Sequence, residues 1–244
     1  MSREASEKTV KIMKDGFTPQ PKAIHALVLL DRDGVLCDNH PGGVINLSVF
    51  VLVPRLKESL EMLSGDHYRI GVFTNQHYLA TGQASQRDYD EMSRRLEMVA
   101  EDAGIRQGHF VIKTCPHAED ANCTCRKPKT GLIEQIVTEF KLGPRETRFY
   151  AVGDKYSDLK TLKNYYDAVL AHLGRDQTAI TTILITWEHG DLRPEFTGKR
   201  KADFVPDYEV DSLERAISFI KKIEEDRRFA EATKIDIKKA TKGY

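Results

Sequence analysis

Residues 26–34 read Ala-Leu-Val-Leu-Leu-Asp-Arg-Asp-Gly, a continuous apolar run that ends in two carboxylates two positions apart. A short apolar run closed by a polar turn marks a strand buried on both faces, the kind found in parallel sheets. The pattern recurs at residues 68–74 (YRIGVFT), 109–113 (HFVIK), 148–152 (RFYAV) and 180–186 (ITTILIT), with 202–205 expected as a short edge strand. Helical periodicity separates these runs. Pro54 starts a helix carrying Leu56, Leu60 and Leu63. Ser85 opens another, with Asp88 three residues on and Tyr89, Met92, Leu96 and Val99 along one face up to Gly104. Leu132, Ile133, Ile136, Val137 and Phe140 form a third, closed by Gly143 and Pro144, and further helices are expected from about 157 and over 212–223. Alternating strands and helices predict an α/β fold: a three-layer, Rossmann-like parallel sheet with helices on both faces.

The domain is expected over residues 23–228, with 1–22 an N-terminal extension and 229–244 a C-terminal tail, both polar and peripheral. The 244 residues, 40% hydrophobic, suffice for a sizeable core. Lys+Arg and Asp+Glu number 37 each, so the chain lacks the basic excess needed to coat nucleic acid or an anionic membrane. No apolar stretch approaches the roughly 18–20 residues of a membrane helix, and residues 1–21 contain no signal-peptide core. A cytoplasmic, soluble monomer is the expectation.

Ligands of open parallel sheets bind beyond the carboxyl ends of the strands. Asp31-Arg32-Asp33-Gly34 follows the first strand, Thr74-Asn75-Gln76 ends the second, and Gly153-Asp154-Lys155, with Asp158 beyond, follows the fourth. Arg126-Lys127-Pro128-Lys129 precedes a helix. Taken singly, each is as compatible with a turn, a cap or a solvated loop; placed together at strand ends they suit phosphoryl transfer, where catalysis is mostly positioning and charge neutralisation. Asp31 would attack phosphorus and form an aspartyl-phosphate. Asp33 would protonate the leaving alkoxide and later deprotonate the attacking water. Two anions meeting need a counter-charge, so a catalytic Mg²⁺ is expected on Asp31, the Asp33 carbonyl and Asp154. Thr74, the Asn75 N–H and Lys127 would hold the remaining phosphate oxygens.

Cys115-Pro116-His117 and Cys123-Thr124-Cys125 form a second cluster. Three thiols and one imidazole supply the four tetrahedral ligands of a closed, structural Zn²⁺ site, and the pairing of short spacings favours metal over a disulfide. Cys37 stands apart and reads as a buried structural thiol.

The four motifs, in this order, resemble those of the haloacid dehalogenase-like phosphatases. With the zinc loop 115–125 directly before Arg126-Lys127-Pro128, they resemble most the heptose bisphosphate and histidinol-phosphate phosphatase branch, over roughly residues 26–205. The resemblance implies a capless site open to a small phosphorylated metabolite, such as a sugar phosphate, with Arg126 and Lys155 helping to bind it. Lys155 is associated with the heptose side, which implies heptose 1,7-bisphosphate 7-phosphatase activity, with histidinol phosphate the alternative. Heptose enzymes usually carry an arginine shortly after the second motif; residues 77–82 here are His-Tyr-Leu-Ala-Thr-Gly. The intervals between the motifs are used up by strands, helices and the zinc loop, so no large cap domain fits. Two rivals remain: a zinc-stabilised binding module without turnover, and a nucleic-acid end phosphatase, for which the chain lacks a basic, aromatic-rich surface stretch.

Overall fold

In a computed structural model, residues 25–176, 179–187 and 204–240 are described, the side chains of 231–240 excepted. The sequence 26–30 lies inside β1 (His25–Leu30), whose residues after His25 are all buried. Next in the chain are α1 (Leu56–Glu61), β2 (Tyr68–Asn75), the single turn α2 (His77–Ala80), α3 (Gln86–Asp102), β3 (Phe110–Cys115), α4 (Gly131–Glu139), β4 (Thr147–Gly153) and α5 (Tyr156–Tyr165), which continues as a π-helical turn (Tyr166–Leu170). The chain then forms β5 (Ile180–Ile185), β6 (Tyr208–Val210) and α6 (Leu213–Ala240).

The six strands form one sheet in the order β3-β2-β1-β4-β5-β6, and every pairing is parallel. Side-chain alternation divides β1 between two cores. Ala26, Val28 and Leu30, with Ile70, Val72, Tyr150 and Val152, face Leu56, Leu60, Met92, Leu96, Ile217 and Ile220 of α1, α3 and α6. Leu27 and Leu29, with Phe73, Phe149 and Ala151, face Leu132, Ile133, Ile136, Leu159 and Leu162 of α4 and α5. The expected three layers are therefore present. α3 begins as read, with the Ser85 hydroxyl accepting from the Asp88 N–H at 3.0 Å. Between β1 and β2, and between β2 and β3, the only helices are α1, α2 and α3. No described helix is long and apolar enough to cross a membrane.

Three expectations need correction or lie outside the described residues. The edge strand is Tyr208–Val210, not 202–205: Asp207 accepts from the Thr182 N–H at 2.7 Å and its hydroxyl at 2.8 Å, which sets Tyr208–Val210 against Ile183–Ile185. Phe204 and Val205 lie outside any strand, while 202 and 203 are among the residues not described. The last helix does not stop near 223 but runs to Ala240, because residues 224–240 contain no Gly or Pro to end it and are rich in Lys, Glu and Ala. The N-terminal extension, 1–22, lies outside the described residues.

Candidate active site and metal centre

The chain runs from β1 outward to β3 and then returns to place β4 on the other side of β1, so the switch point lies between the carboxyl ends of β1 and β4. Leu30 pairs with Val152, and the Asp31 N–H donates to the Val152 carbonyl at 3.1 Å. Asp31 and Asp154 are thereby delivered to the same spot.

Lys127 joins them from the loop before α4. Its Nζ lies 2.6 Å from Asp31 Oδ1 and 2.7 Å from Asp158 Oδ1, and 4.5 Å from the centre of the Phe73 ring. All four groups are buried. Burial alone would push the Lys127 ammonium down, but Asp158 and Asp31 outweigh it and hold it up. Burial, then the Asp158 charge, pushes the Asp31 carboxyl up to about 6 against the pull of Lys127. Asp154 is pushed up to about 8 by burial, with Lys155 opposing and Asp158 and Asp31 adding. Asp158 also closes the start of α5, where its Oδ2 accepts from the Lys155 N–H at 3.0 Å.

Oxygens of Asp31, Asp154 and Asp158 lie within 4.8 Å of one another. Asp154 Oδ1 is buried with no hydrogen-bond partner among the described residues, and its nearest cation, Lys155 Nζ, is 4.0 Å away. Three carboxylates around one lysine, one of them with an orphaned oxygen, fit a hard divalent cation. The Asp33 carboxylate is not part of that group. Arg32, fully buried, holds it with Nε at 2.6 Å and Nη2 at 3.1 Å, and Gln76 Nε2 donates to it at 2.9 Å. Burial would push the Asp33 carboxyl up; Arg32 and Gln76 overcome it and hold it below the ordinary carboxylate range.

Gln76 Nε2 also donates to Thr74 Oγ1 at 2.8 Å, while the Asn75 side chain accepts from the Lys127 N–H at 3.0 Å and donates to its carbonyl. Thr74, Asn75 and Lys127 therefore form one rim. Arg126 sits farther out and pairs with Glu119, both lining an open cleft of about 370 Å³ that also includes Asn122, Lys127 and Lys129. His77, adjacent to the second motif, lies against Tyr78 with ring centroids 3.9 Å apart and the planes tilted by 35°.

Sequence reading gave no role to Arg32, Gln76, Asn39 or Trp187. Asn39 Nδ2 donates to Asp154 Oδ2 at 3.2 Å, and Trp187 Nε1 donates to the Gly34 carbonyl at 2.7 Å. Arg32 and Gln76 lie inside motifs and could have been found there; Asn39 and Trp187 act over distances no local pattern encodes.

In the second cluster, the donor atoms of Cys115, His117, Cys123 and Cys125 all fall within 4.8 Å of one another. Cys115 Sγ lies 3.6 Å from Cys123 Sγ and 3.6 Å from His117 Nδ1, and Cys125 Sγ lies 3.2 Å from that nitrogen. These are close to the edges of a tetrahedron with metal–sulfur bonds of about 2.3 Å. All the cysteines are free thiols, so the donor set fits zinc. Cys123 is drawn down to about 6: burial opposes this, but the Arg126 N–H and the neighbouring thiols prevail. Cys37, fully buried, lies 3.4 Å from Asp33 Oδ1, and burial pushes its thiol far up, as suits an inert group.

A parallel sheet whose switch point presents this aspartate and lysine set is the architecture of the haloacid dehalogenase-like phosphatases. The family model described as polynucleotide kinase 3 phosphatase matches residues 30–182. The D-glycero-beta-D-manno-heptose-1,7-bisphosphate 7-phosphatase of Neisseria meningitidis serogroup A is 30% identical over 176 residues, covering 70% of this chain and 87% of the relative. That of Pseudomonas putida is 33% identical over 134 residues, covering 55% and 74%. The crystal structure of D,D-heptose 1,7-bisphosphate phosphatase from B. bronchiseptica, complexed with magnesium and phosphate, shares the fold. Its TM-score is 0.61 at 21% identity, covering 81% of this chain and 98% of that one. The chain belongs to the polynucleotide kinase 3 phosphatase family, within the haloacid dehalogenase-like phosphatases.

Proposed function

We propose that the protein is a Mg²⁺-dependent phosphomonoesterase of small sugar phosphates, working as a D-glycero-D-manno-heptose 1,7-bisphosphate 7-phosphatase. The observation that carries this reading is Lys127 bridging Asp31 and Asp158 at 2.6 and 2.7 Å beside Asp154. An Asp31 carboxylate oxygen attacks phosphorus, the ester P–O bond breaks, and Asp33 supplies the proton that releases the sugar as an alcohol. Water then attacks the phosphorus of the aspartyl-phosphate; Asp33 takes its proton, phosphate leaves, and Asp31 is regenerated. Arg32 and Gln76 hold Asp33 ionised in the free protein, the form suited to this second task, so the proton it delivers in the first step has to be carried in with the substrate's phosphate monoanion. Thr74, the Asn75 N–H and Lys127 hold the transferring oxygens, and Lys155 and Arg126 reach the rest of the substrate. Mg²⁺, when bound by Asp31, Asp154 and the Asp33 carbonyl, supplies neutralisation of charge between nucleophile and phosphoryl group. Zn²⁺ held by Cys115, His117, Cys123 and Cys125 fixes the loop that carries Arg126 and Lys127.

The substrate is supported by the relatives named above, heptose bisphosphate phosphatases that this chain matches over 74% and 87% of their own length. The family description favours a second reading, a 3′-phosphorylated nucleic acid end. A formal net charge of zero weighs against it. The test is phosphate release with Mg²⁺ from both heptose 1,7-bisphosphate anomers, histidinol phosphate and a 3′-phosphorylated oligonucleotide. A heptose bisphosphate should give the highest kcat/KM, with one phosphate lost. A higher value for the oligonucleotide or histidinol phosphate would move the substrate, and inertness across the panel would end the enzyme reading.

A further inference from the structure

The chain contains one tryptophan, Trp187, just beyond the carboxyl end of β5. It takes no part in the chemistry above, yet its Nε1 donates to the Gly34 carbonyl at 2.7 Å. β5 and β1 are not neighbours, because β4 lies between them. The indole therefore reaches across the carboxyl end of β4, where Asp154 stands, and ties down the β1 loop from its far side.

The tie falls on the most constrained residue of that loop. Gly34 has φ 92°, its N–H donates to the Cys37 carbonyl at 2.7 Å, and a Cβ added to it would stand 2.2 Å from Asp154 Oδ2. Gly34 is thus in direct contact with the Asp154 carboxylate, whose only side-chain hydrogen-bond partner among the described residues is Asn39. Whatever shifts Gly34 alters the separation between Asp31 and Asp154, and a divalent cation bridging them tolerates little change in oxygen positions.

We propose that Trp187 is a positioning residue for the divalent-cation site, its N–H bond to Gly34 fixing the Asp31–Gly34 loop against Asp154. The proposal rests on the phosphatase reading above. Trp187 also packs on the core beneath it, so the ring and the donor have separable roles. Trp187→Phe keeps an aromatic ring while removing the donor and the rest of the indole, so its melting temperature is read beside its Mg²⁺ affinity.

The experiment uses the full-length, zinc-loaded, magnesium-free protein titrated with MgCl₂ by calorimetry. Trp187→Phe should bind Mg²⁺ about fivefold more weakly than wild type, the usual effect of one hydrogen bond. At saturating Mg²⁺ its KM for sugar phosphate should stay near the wild-type value. Equal Mg²⁺ affinity, with or without a lower melting temperature, overturns the proposal while leaving the phosphatase reading standing. Wild-type protein that binds no Mg²⁺ overturns both. A second measurement needs no variant: the sole indole should change its emission saturably with MgCl₂, at the calorimetric midpoint. A flat emission titration alongside measurable Mg²⁺ binding overturns the proposal even where Trp187→Phe does not fold.

Discussion

Replacing Glu224 by Gln should cost about 3 kcal/mol of stability at neutral pH. Glu224 lies on α6, fully buried, at the end of the sheet opposite the phosphoryl site. Its carboxylate accepts from Arg148 Nε at 2.6 Å and Nη2 at 2.5 Å, from the Tyr150 hydroxyl, and meets His67 Nε2 at 2.5 Å. Burial would raise its pKa, but His67, Arg148 and Tyr150 together hold it down from 4.5 to about 2. At ~1.36 kcal/mol per unit, that depression corresponds to about 3 kcal/mol. Breaking one side of a buried, hydrogen-bonded pair independently costs about 3–5 kcal/mol. Gln keeps the shape but turns an NH₂ toward the guanidinium donors and removes the charge. The folded pKa is depressed, so the contribution is fully present above the unfolded value near 4.5 and is lost as pH falls through about 2. Denaturant unfolding at pH 7 should show the deficit, with a melting temperature roughly 6–12 °C lower. The gap between wild type and variant should narrow from pH 5 toward pH 3. A deficit below about 0.5 kcal/mol at pH 7, or one unchanged across that interval, would refute the reasoning.

Metal analysis of the purified protein should find one zinc per chain, and Cys115→Ser should lower the melting temperature by more than about 5 °C, because a tetrahedral site with three ligands loses most of its affinity; unchanged melting would count against a structural zinc. Asp31→Asn should reduce kcat by at least about 10⁴-fold. Measured without Mg²⁺, its melting temperature should match or exceed that of wild type, since Asp31 is held up to about 6 by burial and Asp158 and is a costly charge at neutral pH; a large loss of stability would contradict that. Gly34→Ala should be destabilised by about 1–3 kcal/mol through its left-handed backbone and lose most turnover as the new Cβ displaces Asp154; kinetics near wild type would show that the contact is not limiting.

Much of the catalytic end was legible because it is built from local signals. An apolar run ending in Asp31-Arg32-Asp33-Gly34 marks both a buried strand and the polar turn at its carboxyl end, and paired short spacings mark Cys115, His117, Cys123 and Cys125. The burial of Arg32 was not legible: an arginine in a polar turn reads as solvated, yet it is fully buried, with Asp33 and the Val44 carbonyl taking its Nε and Nη2 donors. Glu224 was missed for a related reason. One glutamate in a helix rich in Lys and Glu looks like part of a solvated face until β4 supplies Arg148 and Tyr150. The three-residue edge strand, two of whose residues are exposed, has no alternation long enough to detect. The bonds of Asn39 to Asp154 and of Trp187 to Gly34 join distant points of the chain, and only the parallel register brings them within reach.

The two buried charge clusters sit at opposite ends of one strand, and their imbalances are of opposite sign. Arg148, Tyr150, Val152 and Asp154 alternate along the same face of β4 and its exit. At the entry, a single carboxylate, Glu224, receives Arg148, Tyr150 and His67, so every acceptor site is engaged and the group is held charged. At the exit, Asp31 and Asp158 share Lys127, Asp154 lies 4.0 Å from Lys155, and two of the carboxyls are pushed upward. The entry cluster supplies stability, anchoring α6 across the sheet, whereas Asp31 and Asp154 at the exit ionise only against burial and the neighbouring carboxylates. A ligand that binds only the folded chain raises its stability by mass action. The arrangement thus places the strained acceptors where Mg²⁺ and phosphate are expected and sets the compensating ion pairs where no reacting group reaches them.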